Sequence, residues 1–360
     1  MSYFFVERNI ARAKTLTKEF YTNPKFFEEA REKIFSRTWQ FAGDPSLLQE
    51  AGDCYPFTLL EGYLDQPLLL TRNKLQQVNC LSNVCTHRGN ILLTEPCKAN
   101  NLRCKYHGRL FDLDGKFRSM PEFGEVRNFP SPADDLHTLP LHKWGNWLFT
   151  VLDKKITAKM FFKQMAKRIE WMPVDDFIFR PELSKEYHIN AHWALYCENY
   201  LEGFHIPFVH ADLNAVINYA SYTTELFVYS NLQLAVAKDE EDCFELPDSS
   251  PDYGNKIAAY YFWVFPNMMF NFYPWGLSLN IVTPISPDHT KVSFFSYVWK
   301  EEKRNTGAGA SLDKVELEDE EVVQNVQKGI RSRFYEHGRY SVTREQGTHH
   351  FHKLIAEFMK

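Results

Sequence analysis

Two short segments of the sequence combine cysteine with histidine at close spacing. The first contains Cys85 and His87, and the second, which begins after sixteen intervening residues, contains Cys104 and His107. Two thiolates and two imidazoles can hold one zinc ion tetrahedrally. They can also hold a Rieske-type [2Fe–2S] cluster, in which the cysteines bind one iron and the histidines bind the other. Zinc sites usually begin with a pair of cysteines, so the order Cys-x-His and Cys-x-x-His favours the cluster.

A second group of possible metal ligands lies in the middle of the chain. His205 and His210 are five residues apart, with Pro207 between them. Proline has no N–H and clashes with the preceding helical turn, so we expect a helix to break at about His205. The break lets both imidazoles face one point. Two histidines and one carboxylate on one face of an Fe(II) ion leave the opposite face open, as in non-heme iron oxygenases.

The carboxylate of such a site must come from another part of the chain. An acidic run stands near the start of a helix predicted over 312–332. Most of its members are expected to be solvated and stabilised by the helix dipole. Spacing alone does not choose among its acids, which are Glu316, Glu318, Asp319, Glu320 and Glu321.

The elements that position these residues follow a change of pattern along the chain. Helical spacing predominates over 1–38, and short strand-like segments separated by turn residues occupy 39–155, including a hairpin turn at Asp114-Gly115. Over 156–360, helices alternate with β-rich blocks. The sequence therefore predicts an α+β fold in which a small all-β domain stands between an N-terminal helical segment and a larger α+β domain.

Four shorter segments carry specific predictions. We predict a strand over 186–196 followed by a helix over 197–205. Two buried strands are predicted across 260–277, because the prolines and asparagines that interrupt this apolar stretch argue against a membrane-spanning segment. Residues 305–311 are expected to form a flexible loop. Six aromatic residues are candidates for a pocket wall, although plain core packing is favoured for each: Phe204, Phe208, Phe262, Trp263, Phe270 and Phe272.

Composition limits the class of protein. The 360 residues are 44% hydrophobic and 16% aromatic, and the net charge is −5. The ordinary apolar fraction argues against disorder, and mild acidity without basic runs argues against a nucleic-acid partner. Seven cysteines are an odd number, and the first residues show no secretory signal. We therefore expect free thiols rather than a disulfide framework, in a cytoplasmic protein with no membrane span.

Taken together, these motifs resemble those of the ring-hydroxylating oxygenase α subunits of the Rieske non-heme iron type. CTHRGN (85–90) and CKYHGRLFD (104–112) match the family's two cluster loops, and residues 199–210 match its Asn-x-x-(Asp/Glu)-x-x-His-x-x-x-x-His motif. The resemblance implies a [2Fe–2S] cluster and a mononuclear Fe(II) bound by His205, His210 and an aspartate, a role that maps onto Asp319. It also implies that an antiparallel sheet surrounded by helices, of the helix-grip type, forms the larger domain.

The resemblance further implies how electrons reach the iron. Family members form trimers in which the cluster of one subunit faces the iron of the next. An acidic residue links a cluster histidine to an iron histidine across that boundary, and this role maps onto Glu202. Asn199 matches the family's asparagine near the iron. Electrons come from NAD(P)H through a flavin- and iron–sulfur-containing reductase or a ferredoxin. The glutamate at this linking position resembles the family branch that has no β subunit and acts on choline, glycine betaine and carnitine.

The resulting hypothesis is a terminal oxygenase that uses O₂ to hydroxylate or demethylate a small organic substrate. One alternative is an aromatic-ring cis-dihydroxylating dioxygenase. An alternative of another class is a Rieske electron carrier without oxygenase activity, and a zinc-stabilised interaction protein is a third. Metal content distinguishes them, because the oxygenase needs about three irons per chain and the carrier about two.

Overall fold

The computed structural model describes residues 4–238, 243–304, 306–310 and 312–360. The chain divides into two units, one formed by Met1–Thr38 with Lys155–Lys360 and the other by Trp39–Lys154. All of the α-helices that the structure describes belong to the first unit. They are α1 (Lys18–Thr22), α2 (Pro24–Lys33), α3 (Ala158–Arg168), α4 (Trp193–Tyr200), α5 (Ile206–Val209), α6 (Ala211–Val216), α7 (Leu312–Gly329) and α8 (Gln346–Phe358).

The paired strands of both units run antiparallel. The unit Trp39–Lys154 contains β1 (Gln40–Gly43), β2 (Asp53–Leu59), β3 (Gln66–Arg72), β4 (Val78–Ser82), β5 (Cys97–Lys98), β6 (Leu102–Arg103), β7 (Leu110–Phe111), β8 (Phe117–Ser119), β9 (Thr138–Leu139), β10 (Leu141–Trp144) and β11 (Trp147–Thr150). The other unit contains β12 (Ile178–Phe179), β13 (Lys185–Ile189), β14 (Thr223–Leu226), β15 (Ser230–Val236), β16 (Ile257–Val264), β17 (Met268–Tyr273), β18 (Gly276–Ser286) and β19 (His289–Val298).

Three small sheets build the unit Trp39–Lys154, with the strand orders β1-β11-β10, β5-β2-β3-β4-β9 and β6-β7-β8. The predicted hairpin joins β7 to β8. Its turn is closed by the N–H of Asp112, which donates to the carbonyl of Lys116, and Gly115 takes a φ of +80° that L side chains rarely adopt. Buried leucines and Phe111 pack around Cys85 and Cys104, so the two cysteines belong to the apolar core of this unit.

One eight-stranded sheet dominates the larger unit. Its order is β12-β19-β18-β17-β16-β15-β14, and β13 also pairs with β19. The two buried strands predicted across 260–277 are confirmed as β16 and β17, in which all residues are buried. Tyr261 pairs with Asn271 and Phe262 pairs with Phe270. Because side chains alternate between the faces of a strand, these two pairs lie on opposite faces of the sheet.

The N-terminal and C-terminal helices follow the sequence prediction, whereas the helices before and within the histidine motif differ from it. Pro24 begins α2, and α7 and α8 lie where two C-terminal helices were predicted. The strand predicted over 186–196 was wrong in its second half, because β13 ends at Ile189 and α4 begins at Trp193. The side chain of His192 accepts the N–H of Ala194 as an N-cap. The helix that begins at this cap has an apolar sequence without the apolar–polar alternation of a half-buried strand.

Two further predictions concern loops and membranes. Of the loop predicted at 305–311, residues 306–310 are described and include a 3₁₀ turn at Gly307–Gly309, whereas residues 305 and 311 lie outside the described part. Among the described residues, no helix is both long enough and apolar enough to cross a membrane.

Candidate metal centres

The two Cys/His segments form loops with the same hydrogen-bond pattern. In each loop, the N–H of the cysteine donates to the carbonyl five residues later, and the N–H of the glycine four residues after the cysteine donates back to the cysteine carbonyl. Gly89 and Gly108, the two glycines, have φ values of +73° and +77°. This left-handed conformation favours glycine, so the turn geometry explains both glycines.

The loops bring the four predicted cluster ligands together as two pairs. The buried thiols of Cys85 and Cys104 are in hydrogen-bond contact, and the imidazole centroids of His87 and His107 are 4.8 Å apart. A Rieske cluster requires two thiolates for one iron and two imidazoles for the other. The site fits this cluster, since Nδ1 of His107 is buried without a hydrogen-bond partner and can serve as a ligand atom.

Backbone N–H groups surround the two sulfur atoms. Desolvation raises the pKa of Cys104, but donation from the N–H groups of Tyr106 and His107 outweighs it, and the pKa falls below its usual value. Burial raises the pKa of Cys85, and the N–H of His87 opposes that rise. These donors stabilise the thiolate, which is the form that binds metal.

A buried arginine that sequence reasoning missed supports the second loop. Arg109 is 2% exposed, and its guanidinium contacts Asp134 at 2.6 Å. The carbonyl of Asp134 also accepts the hydroxyl of Thr86 at 2.8 Å. Residues of both cluster loops therefore contact Asp134. The position of Arg109 directly after the His-Gly of the second loop was the available signal.

The three predicted ligands of the mononuclear site also converge. The ligand atoms of His205, His210 and Asp319 all lie within 4.8 Å of one another. Nε2 of His205 is 3.2 Å from Nε2 of His210. Oδ1 of Asp319 is 3.0 Å from the latter atom and 3.5 Å from the former. Two imidazoles and one carboxylate at these distances fit a single ion held on one face.

The turn that carries the histidines differs from the prediction. The helix predicted over 197–205 was too long, because α4 ends at Tyr200. The short α5 begins after His205 and has Pro207 in its first turn. Backbone N–H groups in the first turn have no partner within the helix, so the missing N–H of proline costs no hydrogen bond there. Glu202 explains the early end, because its carboxylate accepts the N–H groups of Phe204 and His205 and stabilises a turn.

The same turn orients His205. Oε1 of Glu202 lies 2.7 Å from Nδ1 of His205, which leaves Nε2 of that ring directed at the other two ligands. Glu202 falls within the helix predicted over 197–205, but it reaches the ring of His205 from a turn. Gly203 permits this close turn, since a Cβ at that position would lie 2.7 Å from Cε1 of Tyr222.

His210 and Asp319 have polar neighbours of their own. Oε2 of Glu318 is 2.7 Å from Nδ1 of His210, and the amide of Asn199 donates to Oδ1 of Asp319 at 2.5 Å. Desolvation lowers the pKa of His210, but the neighbouring Asp319 and Glu318 outweigh it and raise the pKa. Sequence reasoning singled out Asn199 but missed the contact made by Glu318. Such neighbours commonly fix the orientation of metal ligands.

A cavity lies beside His205, His210 and Asp319. About 770 Å³ at this position is not occupied by protein atoms, a volume that includes open solvent. Five tyrosines contribute to its wall: Tyr196, Tyr200, Tyr222, Tyr261 and Tyr273.

The six aromatic candidates for a pocket wall do not belong to the described residues that line this cavity. Phe262, Trp263, Phe270 and Phe272 are fully buried, as expected of core residues. Phe204 and Phe208 are 42% and 81% exposed. The preference for core packing is therefore confirmed for the four sheet residues. Phe204 and Phe208 belong neither to the described cavity wall nor to the core, so both interpretations were wrong for these two residues.

Two family models match this chain. Residues 179–360 match the ring hydroxylating alpha subunit (catalytic domain), and residues 38–130 match the Rieske [2Fe-2S] domain. The chain therefore belongs to the ring-hydroxylating α subunits, as the sequence motifs predicted. It is an oxygenase, with a Rieske [2Fe–2S] cluster and a mononuclear iron as its cofactors and an α+β fold.

Individual relatives extend this assignment. Choline monooxygenase, chloroplastic, from Arabidopsis thaliana is 27% identical over 373 residues, which cover 98% of this chain and 84% of the relative. The carnitine monooxygenase oxygenase subunit of Escherichia coli (strain K12) is 28% identical over 370 residues, which cover 98% and 96%. A solved quaternary ammonium Rieske monooxygenase, whose structure gave insights into carnitine oxidation by gut microbiota and inter-subunit electron transfer, aligns with a TM-score of 0.80 and 23% identity over 99% of this chain and 100% of that chain. This last likeness shows the fold.

Proposed function

We propose that this chain is the terminal oxygenase component of a system that hydroxylates or demethylates a small quaternary ammonium compound. The observation that carries the proposal is the group formed by His205, His210 and Asp319, which stands at a cavity with a tyrosine-rich wall. A quaternary ammonium cation is attracted to aromatic faces. The relatives named for choline and carnitine support the same substrate class.

The proposed assignment of residues follows the geometry. Cys85, His87, Cys104 and His107 hold the cluster within a cluster domain at 39–155. His205, His210 and Asp319 hold the mononuclear iron within a catalytic domain at 156–360, on which segment 1–38 packs. When bound, the cluster supplies electrons one at a time, and the iron supplies the position at which O₂ is activated.

The remaining polar residues position these ligands. Glu202 and Glu318 each accept from the Nδ1 side of one imidazole, so that the Nε2 atoms of His205 and His210 face each other. Asn199 holds the carboxylate of Asp319 through its amide. In this assignment no side chain acts as a nucleophile, and the protein supplies orientation and a bounded cavity.

Two alternatives have less support. Aromatic-ring cis-dihydroxylation is less supported because the relatives are named for choline and carnitine monooxygenation, although apolar side chains such as Leu213 and Phe294 also line the cavity. A pure electron carrier has no use for two histidines and an aspartate assembled at a cavity. The catalytic-domain match over residues 179–360 also opposes the carrier.

We further propose a homotrimer in which Glu202 links the iron site of one subunit to the cluster of the next. A relative studied for inter-subunit electron transfer supports this arrangement. The electron donor is an NAD(P)H-dependent reductase or a ferredoxin. Light scattering on the purified protein should give a mass of about three chains, and a fully active monomer would contradict the arrangement. The cytoplasmic location stays a prediction.

The central test is substrate-dependent O₂ uptake by the iron-loaded protein with a surrogate reductase. Choline, glycine betaine and L-carnitine form one arm, and benzoate and salicylate form the other. We expect uptake with a quaternary ammonium compound only. Formaldehyde release would identify demethylation. Uptake with the aromatic acids alone would overturn the proposed substrate class.

A further inference from the structure

The cavity contains a buried carboxylate that the proposed iron ligand set does not use. Glu316 lies three residues before Asp319 on α7 and is 4% exposed. The hydroxyl of Tyr196 donates to its Oε2 at 2.7 Å, but Oε1 is buried and has no hydrogen-bond partner. A buried polar atom without a partner is destabilising, so this oxygen is a candidate to receive a ligand group.

Glu316 is also the acid of this wall that is not engaged by a histidine. Three carboxylates line the cavity: Glu202, Glu316 and Asp319. Glu202 contacts His205, and Asp319 contacts His210. Among the described residues that line the cavity, none is a lysine or an arginine. The open space therefore has an acidic, tyrosine-rich wall in which the Oε1 atom of Glu316 is unpaired.

Electrostatics agree with this geometry. Burial raises the pKa of Glu316 to about 8, and the neighbouring Asp319 and Glu320 add to the rise while Tyr196 opposes it. A cation placed near a carboxyl group favours its ionised form. A cationic ligand would therefore relieve the unfavourable burial of this acid.

We propose that Glu316 is the specificity-determining carboxylate of the cavity and the counter-ion of the substrate's quaternary ammonium group. This inference rests on the proposed function, because it assigns a position to the cationic part of that substrate. A trimethylammonium group has no N–H to donate. Its recognition therefore depends on charge and on aromatic faces, which Glu316 and the tyrosines supply.

The same wall selects a monocation over a zwitterion. A substrate carboxylate, as in L-carnitine or glycine betaine, would be buried in the cavity without a cationic partner, and such burial is costly. An adjoining cavity shares Ser278, Phe294 and Leu312 with this one. Its three cationic side chains already have carboxylate partners, in the pairs Lys185–Asp313, Arg304–Glu301 and Lys314–Asp212. The substrate class that fits is therefore a choline-type cation with an uncharged tail.

Calorimetric titration of the anaerobic holoenzyme with three probes tests this proposal. Choline is the monocation, 3,3-dimethylbutan-1-ol is its neutral isostere, and L-carnitine is the zwitterion. We expect choline to bind the wild-type protein at least about tenfold more tightly than either of the others, as a nearby buried charge predicts.

Variants then locate the effect. Glu316→Gln keeps an acceptor for Tyr196 and should weaken choline binding by about tenfold or more, while binding of the neutral alcohol is unchanged. Glu321→Gln is the matched control, because Glu321 is an exposed acid of the same helix. It should bind all three probes as the wild type does. The visible spectrum of each variant reports an intact holoenzyme.

The possible failures are distinguishable. Equal choline affinity in Glu316→Gln and wild type would overturn the role of Glu316 and leave the proposed function standing. Wild-type protein that binds the alcohol or L-carnitine as tightly as choline would overturn the selection of a monocation. Wild-type protein that neither binds nor oxidises any quaternary ammonium compound would overturn both the proposed function and this inference.

Discussion

The carboxylate of Asp319 lies 3.0 Å from Nε2 of His210, although 109 residues separate the two in the chain. The contact joins α7 to the residue between α5 and α6, and α7 also packs against α4. It also places Glu318 and Asn199 against the same pair of residues. The geometry of the proposed iron site therefore depends on how α7 is rotated against α4, and each side chain of the group can be tested separately.

Asp319→Asn should remove the mononuclear iron and leave the cluster intact. The neutral amide retains the shape of the side chain but lacks the charge that an iron ligand requires. Iron content should fall from about three to about two per chain, with turnover reduced more than about 100-fold. Metal analysis and the visible spectrum measure the two effects, with Glu321→Gln as the control. Retention of the third iron together with substrate-dependent O₂ uptake would remove Asp319 from the site.

Cys104→Ser should have the opposite effect. Loss of one thiolate breaks the Cys85–Cys104 pair, so the visible absorption of the cluster should disappear while about one iron per chain remains. Cys97→Ser provides the control, because Cys97 is exposed on β5. An unchanged cluster spectrum in Cys104→Ser would show that the cluster is bound elsewhere.

Glu202→Gln should slow electron delivery without loss of either metal. Glutamine can still accept the N–H groups of Phe204 and His205, so the turn is preserved. It lacks the negative charge beside Nδ1 of His205, and we expect a decrease in turnover of about 10- to 100-fold. Stopped-flow measurement of cluster reoxidation in the presence of substrate and O₂ reports the step directly. Coupled turnover at the wild-type rate would refute the linking role of Glu202.

Gly203→Ala should destabilise the turn that carries His205. The added methyl group would lie 2.7 Å from Cε1 of Tyr222, and overpacking of this kind costs about 1–3 kcal/mol. We expect a lower unfolding free energy and weaker iron retention. Gly329→Ala is the matched control, because a Cβ at that helix end meets no atom within 4 Å. Equal stability of the two variants would show that the turn tolerates the displacement.

Glu316→Gln should change the dependence of stability on pH. The pKa of Glu316 is raised from 4.5 to about 8 in the folded protein, so the folded state keeps a proton that the unfolded state releases. The stability that this group contributes is therefore present below pH 4.5 and is lost as the pH rises toward 8. The difference in melting temperature between variant and wild type should shift in favour of the variant across this range. A difference that does not vary with pH would contradict the raised pKa.

The proposed cluster ligands could be identified in the sequence because their arrangement is local. Each loop is closed by hydrogen bonds between residues at most five apart, and Gly89 and Gly108 supply the left-handed conformation that each closure requires. The two histidines of the second site were equally accessible, since Pro207 fixes where a helix must begin. In both cases the residue types and their spacing carry the chemistry.

The pocket could not be predicted in the same way. β16 and β17 are buried on both faces and aromatic on both faces, so alternation gives two candidate sets without indicating which set meets the cavity. The cavity side belongs to Tyr261, Asn271 and Tyr273, whereas Phe262, Phe270 and Phe272 face the core. Only the helices packed on the sheet distinguish the two faces.

By itself, the sequence determined the candidate ligands Cys85, His87, Cys104 and His107, the candidate ligands His205 and His210, the order of an all-β module and a larger α+β region, and the two buried strands across 260–277. The tertiary structure decided that, of the five acids within 316–321, Glu318 and Asp319 contact His210, whereas Glu316 is buried at the cavity without a cationic partner. Asp319 and Glu316 both carry a carboxyl group and lie three residues apart. What separates their roles is the rotation of one helix against α4 and the sheet, and that rotation is set by long-range packing, which no local pattern encodes.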